Sequence, residues 1–192
     1  MAPFVDHMVI CPGDSIHVDL DFAELGKVSF SGTGADNNMK MNEFHLKYYL
    51  SHYWPSVNKY NDAKSFKDGL TEQLEAHLSR LEAFIQEKHP SKELEALCRK
   101  EIEADYYSNL IQGLLFFKRD GENVSDLFRV KDAAGLFSPD YMPGNLFDLS
   151  SNICYWLLHD MDPEEAALLM ADYTLLMRFL KKVTSNRILH QM

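Results

Sequence analysis

Glu101, Asp105 and Asn109 stand at i, i+4 and i+8 in a stretch whose apolar residues recur at helical spacing, so their side chains form one row on one helix face. Tyr106 and Tyr107 flank the row. Two carboxylates held together away from water push one pKa up, and such a pair can divide the work of general acid and general base. The same row facing solvent, or hydrogen-bonded to a neighbouring helix, does no chemistry. A second group of residues offers surface rather than protons. Phe44, Tyr48, Tyr49 and Trp54 on one segment, with Tyr155 and Trp156 on another, are dense in aromatic area and fit either an interaction surface or helix packing.

The other reactive residue types form no constellation. The eight histidines contain neither His-Glu-x-x-His nor His-x-His. His45 and His52 can share a helix face, but a metal needs a third ligand, and neither Glu43 nor Asp62 is specified for that role, so no metal is expected. His17, Asp19 and Asp21 alternate as the polar face of a strand does. Cys11, Cys98 and Cys154 are scattered, without a Cys-x-x-Cys pair, and Cys98 and Cys154 sit in apolar patterns where a thiol behaves as a small hydrophobe. Gly32 and Gly34 lack the Gly-Lys-Ser/Thr that grips a phosphate, and no Gly-x-Ser-x-Gly elbow occurs. No cofactor is expected and no catalytic residue is assigned.

The elements that must carry these residues are mostly helical. Phe66, Leu70, Leu74, Leu78, Leu81 and Ile85 make one apolar stripe, and Leu94, Leu97, Cys98, Ile102, Tyr106, Leu110 and Leu114 make another. A break at His89-Pro90-Ser91 folds the two against each other, so residues 65–117 predict a long helical hairpin. Before it, His7 to Cys11, Ser15 to Asp21 and Lys27 to Ser31 read as two or three short strands, with Pro12-Gly13-Asp14 as a turn. A helix capped by Asp36 or Asn37 and stopped by Pro55 links strands to hairpin. After Phe117 comes a packed connection. Residues 146–159 follow as a helix apolar on nearly every side, and then a helix opened by Asp162-Pro163-Glu164-Glu165.

Composition excludes some functions. At 192 residues the chain suffices for one substantial domain, and 46% hydrophobic with 25% charged residues is ordinary globular composition. A net charge of −10, with its few basic runs short, argues against a nucleic-acid surface. No run approaches the roughly 18 apolar residues of a membrane span. The first residues are neither basic nor sustainedly apolar, so no secretion signal is expected in this chain.

Val9-Ile10-Cys11-Pro12-Gly13-Asp14-Ser15-Ile16-His17-Val18, followed by Val28-Ser29-Phe30-Ser31-Gly32-Thr33-Gly34-Ala35-Asp36-Asn37-Asn38, resembles the end of the N-terminal β domain of a known family. The family is the thioredoxin-like envelope thiol–disulfide oxidoreductases of the TlpA/ResA type from anaerobic gut bacteria, in which a helical middle region follows and then a thioredoxin domain. The resemblance implies a periplasmic or envelope setting, and a thioredoxin-like domain or client protein as partner. It carries no redox role onto any residue here, because the Cys-x-x-Cys and the thioredoxin domain have no counterpart. Read as a complete chain, the protein would be cytoplasmic.

The expectation is a mainly α fold, a helical bundle built on the 65–117 hairpin, with a β segment over 1–35 and a helical domain over 36–192. The leading function is a non-catalytic scaffold or protein-interaction domain. A stand-alone binding or homo-oligomerising module comes second, and a helical enzyme using Glu101 and Asp105 third.

Overall fold

A computed structural model describes residues 8–21, 28–49, 54–124, 126–129, 132–133, 136 and 146–158, with the backbone alone for some side chains of the last segment. The order is β1 (Ser15–Leu20), β2 (Val28–Thr33), α1 (Ala35–Glu43), a π-helical turn (Phe44–Tyr48), a 3-10 turn (Val57–Lys59), α2 (Ala63–Lys88), α3 (Lys92–Arg119) and α4 (Leu146–Leu158). The fold is mainly α, with α2 packed on α3, α4 on α3, and a two-stranded ribbon at the N-terminal end.

The ribbon is antiparallel, in a register that runs from Ser15 opposite Thr33 to Leu20 opposite Val28. This places Ile16, Val18 and Leu20 on one face with Val28 and Phe30, of which Phe30 alone is buried. Two strands bury too little surface to be stable alone, and α1 supplies the missing cover by packing on β2. The apolar run at Met8–Ile10 is not a strand. Asn38 takes the strand's place instead: its Oδ1 accepts from the Val9 N–H at 2.9 Å and its Nδ2 donates to the Val9 carbonyl at 2.8 Å. The helix begins two residues earlier than an Asp36 cap, and three earlier than an Asn37 cap, would place it, with Gly34 as its N-cap residue and no side-chain cap. Gly34 holds φ +90°, and a Cβ there would sit 2.6 Å from the Asp14 carboxylate. Gly32, also at positive φ, lies so close to the Ser15 carbonyl that a side chain would collide with it.

The hairpin forms where the apolar spacing puts it. Asp62 caps α2 by accepting from the Ser65 N–H at 2.8 Å, and Ser91 caps α3 by accepting from Leu94 at 3.2 Å. Between them His89 takes a left-handed conformation, φ 48°, that ends α2, and Pro90 prevents its continuation. The buried face of α2 is rotated from the expected stripe. Phe66, Leu70 and Leu81 are buried, but Leu74, Leu78 and Ile85 are half-buried, and His77 and Phe84 take interior places. α3 buries far more than one stripe, from Leu94 to Phe117, because α2 and α4 cover different sides of it.

Val124, Phe128, Ala133 and Leu136 are buried in one cluster with residues of α2, α3 and α4, so the described part of the connection after the hairpin is packed by its own side chains. Residues 137–145 of that connection and the helix expected after Asp162 lie outside the described residues.

Two stability measurements test this packing. Leu110→Ala, at a position 2% exposed, costs about 2–5 kcal/mol by urea denaturation, and Leu78→Ala costs less than half of that because its site is half-buried. Equal losses would contradict the rotated face. Gly113→Ala ought to gain about 1 kcal/mol on helix propensity, yet its Cβ would run into the Phe66 ring. A net loss of about 1–3 kcal/mol is expected, and a stabilised variant would show the ring free to move aside.

Candidate functional site

α3 carries Glu101 and Asp105 into the body of the protein, and a seam of polar side chains from three elements closes around them. Two apolar clusters lie on either side. One gathers Phe66, Leu70, Leu110, Leu114 and Trp156; the other gathers Met41, Phe44, Leu81, Phe84 and Ile102. Glu101 is buried, its side chain 2% exposed, and His45 Nε2 lies 3.2 Å from its Oε2. The two atoms are close without being aligned for a hydrogen bond, so the contact is electrostatic. Asp105 is half-buried and accepts a hydrogen bond from the Tyr49 hydroxyl. Burial, followed by the Asp105 charge, pushes the Tyr49 phenol far up, so it stays protonated and donates.

Local backbone shape makes this possible. α1 stops at Glu43 and the chain widens into one π-helical turn before Tyr49 becomes extended, at φ −102° and ψ 105°. The wider turn points His45 and Tyr49 at α3, where their ring centroids lie 5.8 Å apart. The turn is anchored on the end of α2. Lys88 bridges Glu43 at 2.9 Å and Glu87 at 3.0 Å, the Tyr48 hydroxyl donates to Glu87, and Lys40 donates to the His89 carbonyl at 3.3 Å.

His77 of α2 completes the seam. It is 1% exposed, packed edge-on against Tyr49 and tilted against Trp54, with Arg80 3.4 Å from its Nδ1. Burial, helped by the Arg80 charge, lowers its pKa to about 4, so the ring is neutral at pH 7. Sequence periodicity assigned that side of α2 to Leu78, and only the position of α3 shows that a histidine faces inward.

Of the expected acid row, Glu101 and Asp105 therefore share one seam. Asn109 leaves it. Its Nδ2 donates to the Asp105 carbonyl at 2.8 Å, and its side chain lines a cleft of about 670 Å³ between α3, α4 and residues 54–57. Neither acid lines that cleft. The expected aromatic surface also divides. Phe44, Tyr49 and Trp156 are 0%, 3% and 8% exposed and belong to the core, and Tyr48 is held at the surface by Glu87. Trp54 and Tyr155, from opposite ends of the sequence, meet as walls of the cleft.

His17 and Asp19 are exposed and pair with each other at 3.2 Å on the ribbon's polar face. Cys98 is buried beside the Met41 sulfur at 3.7 Å, and burial with the Glu101 charge pushes its thiol up, which keeps it protonated. Cys11 is exposed. Among the described residues, no three His, Cys, Asp or Glu side chains converge as metal ligands, and no helix is long and apolar enough to cross a membrane. No family model, no curated protein and no solved structure matches the chain.

The neutral state of His77 has a pH consequence. The unfolded chain takes up a proton here near pH 6.5, whereas the folded chain resists until about pH 4. Between those values the unfolded state binds more protons, so stability falls as pH falls, on the order of 1 kcal/mol per unit for this group. Urea melts of the native chain and of His77→Gln across pH 4–7 should diverge in slope by this amount. Parallel slopes would mean that His77 is not shielded in the folded state.

Proposed function

We propose that this chain is a non-catalytic scaffold or interaction domain, related to the helical accessory region of thioredoxin-like disulfide oxidoreductases of the cell envelope. The observation that carries the reading is the pairing of Glu101 and Asp105 with His45 and Tyr49: the acids tie the π-helical turn to α3 and leave the cleft to neutral and basic side chains. An acid that holds two elements together is a structural group, and moving its proton would disturb the fold. Cys98 supports the same reading, since a shielded, protonated thiol is a poor nucleophile. The motif residues support the kinship in a structural sense. Asp14, Gly32 and Gly34 build the ribbon's approach to α1, and Asn38 grips Val9 beside them.

The exposed aromatics supply the docking surface in this reading. Phe116 is 41% and Tyr155 49% exposed, and both line the cleft with Trp54. Rigid aromatic side chains at a cleft mouth give a partner large contact area at small entropic cost. The partner class is a thioredoxin-like domain or the client of one, and self-association through the same face is the second reading, favoured by the same two exposed rings.

The test is titration of the isotope-labelled chain with a purified thioredoxin-like domain of a TlpA/ResA-type oxidoreductase, followed by NMR. Saturable shifts should gather at Trp54 and Tyr155. The double variant Phe116→Ala/Tyr155→Ala should bind at least about ten-fold more weakly, a loss of about 1.4 kcal/mol in binding. Sedimentation of the chain alone separates self-association. Absence of shifts at millimolar domain, with a monomer in the centrifuge, would remove both readings.

A further inference from the structure

In a chain of net charge −10, the cleft between α3, α4 and residues 54–57 has no Asp or Glu among the described residues that line it. Its one charged lining residue is Arg119, which is exposed and makes no ion pair among the described residues. Trp54, Phe116 and Tyr155 supply aromatic walls around it. The amide groups are already half committed. Asn109 Nδ2 donates to the Asp105 carbonyl and Asn152 Nδ2 donates to Ser108 Oγ at 2.6 Å; both residues line the cleft, and among the described residues no donor pairs with the Oδ1 of either. From Asn109 to Arg119 the floor runs about 15 Å along α3, the length of four or five extended residues.

The geometry points to a peptide-binding cleft for an extended segment of a partner protein that carries an aromatic side chain next to a carboxylate. The carboxylate pairs with Arg119, the ring packs among Trp54, Phe116 and Tyr155, and backbone N–H groups of the segment donate to the amide oxygens of Asn109 and Asn152. The requirement for N–H donors favours a peptide over a simple aromatic acid. A basic segment would meet Arg119 as a like charge and find no acid among the described lining residues. This inference rests on the interaction reading above and narrows it to a partner chemistry.

The experiment titrates the labelled full chain with four probes: acetyl- and amide-capped Gly-Asp-Phe-Gly, Gly-Lys-Phe-Gly and Gly-Asp-Ala-Gly, and 3-phenylpropionate. The Asp-Phe peptide should shift the Trp54 indole N–H and the Asn109 and Asn152 side-chain amides saturably, with the other three at least about ten-fold weaker. In Arg119→Glu, a change at an exposed site, the preference should invert toward the Lys-Phe peptide. Equal shifts with both charged peptides, a shift pattern away from the cleft, phenylpropionate bound as tightly, or an unchanged preference in Arg119→Glu would each overturn the inference. A thioredoxin-like domain that binds elsewhere while the peptides fail refutes this inference alone. Peptides that bind while the domain does not refute the proposed partner and leave the cleft assignment standing.

Discussion

Carrying carboxylates into the middle of a helical core is the constraint on which the rest of this structure depends. Taking an ionised acid out of water costs several kcal/mol unless a partner comes with it. Glu101, with its side chain 2% exposed, and half-buried Asp105 sit on the helix against which α1, α2 and α4 pack. Partners for both are supplied from outside α3. They come from His45 and Tyr49, brought into range by one π-helical turn, and this requirement sets the path of the N-terminal segment across the hairpin. The surface contacts of Lys40, Glu43 and Tyr48 with the end of α2 then hold that path in place.

α3 is central because it can serve two neighbours. α2 covers one side and α4 another, and the buried residues of α3 accordingly surround it instead of forming a stripe. Close approach is bought with small residues: Gly113 gives its space to the Phe66 ring, and Ala104 and Ser108 are also buried. The polar seam divides the apolar interior into two clusters, with Leu74 and Trp54 touching both. His77 of α2 ties this division to the N-terminal segment, its ring packing on both Tyr49 and Trp54.

The N-terminal motif and the cleft sit at different places and do different work. Gly32, Gly34, Asp14 and Asn38 are committed to backbone geometry where the ribbon meets α1. The cleft instead draws on α3, on α4 and on the segment before α2. Its chemistry is that of recognition: aromatic walls, amide acceptors and one guanidinium, with the acids a few residues away turned into the seam.

The spacing of apolar residues, Pro90 with its flanking caps, and the turn chemistry of Pro12-Gly13 were enough to determine a mainly α chain, its long hairpin and its small β piece, because these features act over a few residues. The row of Glu101 and Asp105 was also legible, as was the aromatic density of 44–54. What each of them faces was not. Periodicity gives the direction of a side chain around its own helix axis and says nothing of a neighbour's rotation, so Leu78 and His77 exchanged places and Phe44, Tyr49 and Trp156 turned out to be core. The π-helical turn and the meeting of Trp54 with Tyr155 depend on contacts between residues far apart in sequence, and only the packed tertiary structure decided them.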